Sequence, residues 1–277
     1  MTLLFVRIRN NLSLCLFPII SSWKYNNLLK GFISREIKGR FAGTFAGILW
    51  TLINPIATIA VYVFLFSIVI RIPVTAQESG TDSFAIFLLS GLFPWLIFAE
   101  SLSRAVGSLL GNSDLITKVV FPIELLPTSS VVSAIIINGI GLILFLAYLL
   151  LIGHLDITWI WFLPLIVFEV LFTWGLSMLL SALSVFIRDI QELLGIIIMV
   201  WFYGTPIIYP VSLVPESMHI FFQFNPMALM VLLYRQVFLV HSINLHWMAI
   251  VGIISLIVYI LGSWFFMRAK SAFGDIL

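Results

Sequence analysis

Charge is what this 277-residue chain has least of. Asp, Glu, Lys and Arg together make up 9% of the residues, and apolar residues make up 62%. A soluble domain carries about 25% charged residues. The composition therefore excludes an ordinary soluble domain and predicts an all-α membrane protein that crosses the bilayer several times. No nucleic-acid partner is expected.

Cysteine and nucleotide-binding loops are also scarce or missing. Cys15 is the single cysteine, so the fold depends on no internal disulfide and on no oxidising compartment. The sequence contains no Gly-x-x-x-x-Gly-Lys-Ser/Thr stretch, which is the loop whose backbone amides and lysine hold nucleotide phosphates. The chain is therefore expected to bind no nucleotide cofactor and to have no ATPase activity of its own.

Histidine is absent from every long apolar run. The four histidines are His154, His219, His241 and His246. They show neither His-x-x-x-His spacing nor a neighbouring cysteine cluster, so a metal site is not expected. A membrane hydrolase would need a histidine beside a serine within its spans. The sequence thus predicts a non-catalytic protein.

Basic residues crowd the amino-terminal part of the chain. Seven of the fourteen lysines and arginines lie within residues 1–40, which predicts a cytoplasmic amino terminus. Arg7 and Arg9 precede an apolar stretch, as in a secretory signal, but no small-x-small cleavage site follows. Residues 1–24 are therefore interpreted as a retained lead-in.

Residues 25–40 have the pattern of a one-sided helix that leads into a membrane domain at 41–277. At helical spacing, one side collects apolar residues and the other side collects polar ones. The apolar side holds Leu28, Leu29, Phe32, Ile33 and Ile37, and the polar side holds Lys30, Ser34, Arg35 and Lys38. The pattern predicts an amphipathic interface helix on the membrane surface, with a solvated helix or a plain anchor as the alternative.

Six apolar runs are long enough to be predicted as spans. They cover residues 44–70, 84–110, 125–152, 159–187, 193–209 and 247–267. With a cytoplasmic amino terminus, the loops 111–124 and 188–192 and the tail from 268 are inside, so both termini are cytoplasmic. Lys118, Arg188 and Lys270 fall on that side, in agreement with the positive-inside rule.

The segment between spans five and six is unusually apolar for a loop. Prolines at 206, 210, 215 and 226 interrupt it repeatedly. Two short re-entrant helices on the outer side fit this pattern, because irregular backbone at membrane depth must be covered by protein. The competing interpretation is a seventh span at 227–240, which is short and contains Arg235.

Few ionisable residues lie within the predicted spans. Glu100 and Arg104 are four residues apart and therefore share a helix face, where they are predicted to pair. Glu169 has no partner nearby in the sequence. These carboxylates leave open an ion-coupled transporter or lipid flippase that works without an ATPase, and a membrane scaffold without transport is a third possibility.

Several motifs resemble those of type 2 ABC exporter permeases, which export polysaccharides, O-antigens and teichoic acids. In chain order they are RFAGTFAGILWTLINP at 40–55, YVFLF at 62–66, GLFPW at 91–95, NSDLITKVVFPIELLP at 112–127, VFIRDI at 185–190, NP at 225–226 and YR at 234–235. The similarity runs from Tyr25 to Arg268.

The resemblance implies a homodimer of six-span subunits in the bacterial inner (cytoplasmic) membrane. Two copies of a separate ABC ATPase, which uses ATP and Mg²⁺, would bind beneath it, and the cargo would be a polyprenyl-diphosphate-linked, O-antigen-like glycan. The residues that match the family's ATPase contacts are Lys30, Arg35, Glu36, Lys38, Arg40, Asn112, Asp114, Lys118, Phe121, Arg188 and Asp189.

Aromatic residues crowd the first and fifth spans. Ring faces suit the C–H-rich faces of sugars, and the family lines its channel with aromatics from these two spans. The predicted channel residues are Phe45, Trp50, Tyr62, Trp201, Tyr203 and Tyr209. The alternative is that these rings form the aromatic belt found at membrane interfaces.

Overall fold

Helices account for every regular element in the described part of the chain. The computed structural model describes residues 15–70, 74–75 and 79–277. Residues 15–24 are helical, and the hydroxyl of Tyr259 donates a hydrogen bond to the Cys15 carbonyl over 3.3 Å. The first fourteen residues of the predicted lead-in lie outside the described residues.

Eleven α-helices follow residue 25 in the described ranges. They are α1 (Asn26–Arg40), α2 (Trp50–Tyr62), α3 (Phe84–Ala105), α4 (Ser113–Lys118), α5 (Leu125–Leu151), α6 (Phe162–Phe186), α7 (Ile190–Tyr203), α8 (His219–Phe224), α9 (Pro226–Arg235), α10 (Leu245–Ala269) and α11 (Phe273–Ile276). Helix α2 continues as a π-helical turn over Val63–Ile70, and α9 continues likewise over Gln236–Val240.

Length and composition identify the helices able to cross a membrane. Four qualify among the described residues: Phe84–Ala105, Leu125–Leu151, Ile157–Phe186 and Leu245–Ile276. Two shorter apolar helices, Trp50–Leu65 and Ile190–Tyr203, lie in the other two predicted runs. The described part of the chain is all-helical, and each of the six predicted runs contains one α-helix.

The predicted outer segment contains a sharply bent helix pair. Glu216–Phe224 and Pro226–Val240 meet at 100°, and together they are apolar and long enough to cross once, which would raise the number of crossing segments to five. Asn225 lies at the bend. Helix α9 is buried along almost its whole length against α3, α6 and α10.

Helices α6 and α10 form the most extensive helix pair of the structure. Gly175 on α6 faces Gly262 on α10, and a Cβ built on Gly262 would lie 2.0 Å from the Gly175 carbonyl oxygen. Small residues allow this close approach in membranes, where packing must replace the hydrophobic effect between helices.

Gly262→Ala is expected to destabilise the protein by about 1–3 kcal/mol, because the two backbones must separate to admit the methyl group. Heat- or SDS-induced unfolding in a mild detergent measures the effect. Gly139→Ala is the matched control, since Gly139 lies inside α5 and its added Cβ would meet nothing within 4 Å. Equal unfolding midpoints for the two variants would contradict the expectation.

Candidate functional site

Two of the regions predicted to contact a partner meet at one end of the bundle. Arg35 on α1 donates a hydrogen bond from Nη2 to Oδ1 of Asn112 over 2.6 Å. The rings of Phe32 and Phe121 lie 5.7 Å apart. This end, formed by α4, the turn at 187–189 and α11, is called the α4 end below. Neighbouring helix α11 contacts both α4 and α6.

A surface groove opens at the α4 end. Its volume is about 500 Å³, and its lining residues are Leu110, Ser113, Arg188, Asp189, Gln191, Glu192 and Leu277. The side chains of Arg188, Asp189 and Glu192 are exposed. Within the described ranges, none of these three forms a side-chain hydrogen bond or an ion pair. The groove therefore presents charges of both signs that are free to bind another molecule.

A buried ion pair braces this end. Lys270 donates from Nζ to Oε2 of Glu124 over 2.7 Å, and the Glu124 side chain is fully buried. The pair ties the segment after α4 to the carboxy-terminal tail. Sequence reasoning missed it, although a carboxylate between Pro122 and Pro127 in an apolar run was the available signal.

The predicted partner contacts on α1 and α4 are not all equally accessible. Glu36 faces inward and accepts a hydrogen bond from the Ser130 hydroxyl over 2.7 Å. Lys30 and Lys38 are exposed. On α4, Lys118 pairs with Asp114 over 2.7 Å at the surface. An exposed pair of this kind leaves both charges available to a partner.

Glu100 is the centre of a half-buried polar cluster. Arg104 donates from Nε to its Oε1 over 2.7 Å, which confirms the pair predicted from their spacing. Arg40 forms a second ion pair with the same oxygen. Asn138 on α5 donates to Oε2 over 2.7 Å. The cluster therefore joins the end of α1 to α3 and α5. Because Arg40 is paired within the cluster, its side chain is less available to a partner protein.

Glu169 has a partner that is remote in the sequence. The hydroxyl of Tyr234, on α9, donates a hydrogen bond to Oε2 of Glu169, and both residues are fully buried. Both carboxylates of the predicted spans are thus engaged by other side chains. Glu100 is held by two arginines and Asn138, and Glu169 is fully buried, so the arrangement does not favour the ion-coupled alternative.

The six predicted channel aromatics divide into exposed and packed residues. Phe45 is fully exposed and Tyr203 is 60% exposed. Trp201 is half-buried, and its ring lies 5.0 Å from that of Phe98. Tyr209 is half-buried and donates its hydroxyl to the Tyr203 carbonyl over 2.7 Å.

The first-span residues of that set lie toward the surface. Trp50 is 37% exposed, and Tyr62 is half-buried.

Asn225 organises the bend between α8 and α9. Its Oδ1 accepts from the backbone amides of Met227 and Ala228 and from Nε1 of Trp201 over 2.8 Å. Its Nδ2 donates to the Gly204 carbonyl over 3.2 Å. One side chain thus caps α9 and fixes it to the end of α7.

Asn225→Ala is expected to destabilise the protein by about 1–2 kcal/mol, because the helix cap is lost and the Trp201 indole N–H loses its acceptor. Thermal unfolding in detergent measures it. Gln223→Ala, at an exposed position two residues away, should leave the midpoint unchanged. An Asn225→Ala midpoint equal to that of this control would argue against the capping role.

Known proteins match this chain over most of its length. Residues 27–239 match the family model described as ABC-2 type transporter. The chain is 31% identical over 261 residues to the O-antigen export system permease protein RfbA of Klebsiella pneumoniae, a match that covers 92% of the chain and 98% of that protein.

Other relatives show a similarly extended match. A protein with the same name from Myxococcus xanthus is 32% identical over 228 residues, which cover 80% of the chain and 84% of the relative. The polysialic acid transport protein KpsM of Escherichia coli is 22% identical over 232 residues, which cover 81% of the chain and 87% of the relative.

Proposed function

The chain belongs to the ABC-2 type transporter family, and from this we propose that it is the permease subunit of an ATP-driven exporter. Its cargo would be a polyprenyl-diphosphate-linked polysaccharide of the O-antigen type, carried across the bacterial inner membrane. Support for this cargo comes from relatives named as O-antigen export permeases, which match the chain nearly end to end.

The observation that best supports an external motor is the groove at the α4 end. Its exposed Arg188, Asp189 and Glu192 have no side-chain partners in the described part of the chain, while Lys270 and Glu124 brace the same end from within. A firmly held, charged surface is what a separate subunit needs in order to transmit force. The proposed motor is an ABC ATPase, two copies of which would bind ATP and Mg²⁺ beneath a permease homodimer.

The proposed topology has six spans with both termini in the cytoplasm, and the α4 end therefore faces the cytoplasm. The lysines and arginines within residues 1–40 and the cations Lys118, Arg188 and Lys270 support this orientation. In this topology, α8 and α9 are re-entrant helices at the outer face. Their 100° bend and the burial of α9 support that role.

The proposed transport path follows the surface shared by α2 and α7 in the dimer. The exposure of Tyr203 and Trp50 supports it. Trp201 contributes by supporting this surface from behind, since its ring packs against Phe98 and its N–H is held by Asn225.

Purification from native membranes tests the proposed function. The full-length chain, isolated in a mild detergent, should bring an ATP-hydrolysing protein with it in a one-to-one ratio. Deletion of the chain should cause lipid-linked glycan to accumulate inside the cell. Recovery of the chain without any ATPase, together with unchanged glycan export in the deletion strain, would contradict the proposal.

A further inference from the structure

A second pocket lies at the end of the bundle opposite the α4 end. Its volume is about 500 Å³, within the range of about 300–1,000 Å³ typical of small-molecule sites. Phe87 lies in the first turn of α3 and Trp247 in the first turn of α10. The same two helices lead at their other ends into α4 and α11. The pocket is therefore separated from the groove by the length of the bundle.

Arg235 lines this pocket and is 4% exposed. Its guanidinium stacks on the Phe87 ring, with Cζ 3.6 Å from the ring centre. Nη1 donates to the Pro206 carbonyl over 2.5 Å, and Nη2 donates to the Ile207 carbonyl over 2.8 Å. Gly91 makes room for the group, because a Cβ there would lie 3.2 Å from Nη2.

The charge of Arg235 is not neutralised by any acidic side chain in the described ranges. Its third hydrogen bond runs from Nε to the Phe87 carbonyl over 3.3 Å, so all of its acceptors are uncharged. A guanidinium has five N–H donors, and these three bonds leave two of them for another acceptor. Buried charges in proteins are generally paired with an opposite charge, so an anion would complete this site.

The other walls of the pocket define the ligand further. Leu232, Val240 and Trp247 are apolar, Ser79, Ser212 and Gln236 add neutral polar side chains, and Ser242 is exposed. An anion with an attached apolar group fits a site with one buried cation and a partly apolar wall. Guanidinium groups bind phosphate oxygens with particularly good geometry.

We propose that this pocket binds a phosphate group, carried by a membrane lipid or free in solution, and that Arg235 is the cation that receives it. The site is distinct from the ATPase groove and from the aromatic path. In the proposed topology it faces the outer leaflet, where lipid phosphates are abundant. Its existence does not depend on the proposed export function.

A charge at the rim tests the proposal without altering the buried arginine. Ser242→Asp places a carboxylate beside the incoming phosphate, whereas Ser242→Asn is the neutral variant of the same size. The full-length chain and both variants are mixed with equal amounts of phosphatidic acid and of diacylglycerol with identical acyl chains. Native mass spectrometry then counts the lipids retained by each.

The wild type and Ser242→Asn should retain phosphatidic acid in preference to diacylglycerol. Ser242→Asp should reduce that retention by about tenfold, because like charges repel strongly at a few ångströms in a partly buried site. Thermal unfolding confirms that the two variants are equally folded. Equal retention of both lipids by the wild type, or equal retention of phosphatidic acid by the two variants, would overturn the proposal.

Inorganic phosphate distinguishes the two sources of the ligand. If it displaces phosphatidic acid, the phosphate group alone is recognised and the free ion is a sufficient ligand. If phosphatidic acid stays bound in its presence, the lipid is the ligand and the apolar walls contribute to binding. Both results support the site. Because the readout is binding, failure here is distinguishable from failure of the exporter assignment.

Discussion

Arg235→Ala is expected to lower the free energy of unfolding by about 3–5 kcal/mol. The change leaves the carbonyls of Phe87, Pro206 and Ile207 without the charged donor that now binds them. A hydrogen bond to a charged group contributes about 1.5–3 kcal/mol. Removal of the buried cation offsets part of this loss.

SDS- or heat-induced unfolding of the detergent-solubilised protein measures this effect. Two further variants serve as controls. Arg235→Lys keeps the charge but lacks the planar fork, so it should recover only part of the stability. Lys118→Ala removes a cation that is 71% exposed, and it should change the unfolding free energy by less than about 0.5 kcal/mol. Equal stability of Arg235→Ala and Lys118→Ala would refute the expectation that the hydrogen bonds of Arg235 stabilise the fold.

The helices were predictable from the sequence because a membrane span requires a long run of apolar residues, which is visible in the sequence itself. The run at 125–152 became α5 at Leu125–Leu151, and the run at 247–267 lies within α10 at Leu245–Ala269. Bends were harder to predict. The prolines at 215 and 226 indicated that the outer segment is broken, but the 100° angle depends on the tertiary contacts made by Asn225.

Polar partners were predictable only where they are close in the sequence. The Glu100–Arg104 pair follows from helical spacing alone. Asn138 and Tyr234 lie 38 and 65 residues from the carboxylates that they bind. No spacing rule relates residues on different helices, because their contact depends on how the helices cross.

The predicted site residues show the same limit. The spacing on α1 separates apolar from polar residues, but it does not reveal that Glu36 turns toward Ser130 or that Arg40 is occupied by Glu100. Arg235 falls in the predicted outer segment, but its position in the sequence does not reveal that it is buried against Phe87 on α3. Sequence patterns thus identify candidate segments, and side-chain contacts decide which of their residues remain available.

Arg188→Glu is expected to reduce glycan export by at least about tenfold without unfolding the protein. Arg188 lines the groove at the α4 end and has no side-chain partner in the described part of the chain. If the proposed ATPase places an acidic group against it, charge reversal creates a repulsion of several kcal/mol at the interface. A loss of about 1.4 kcal/mol in binding already corresponds to a tenfold weaker complex.

Lys24→Glu is the matched control for this charge reversal, because Lys24 is exposed, undergoes the same change in charge and lies on the same side of the membrane in the proposed topology. It belongs to the lead-in and not to the groove, so export should persist. The amount of ATPase that copurifies with each variant distinguishes a loss of ATPase binding from a loss of transport alone. This amount should fall for Arg188→Glu only. Normal export and normal ATPase recovery in Arg188→Glu would mean that the motor binds elsewhere, and the groove would then lose its assigned role.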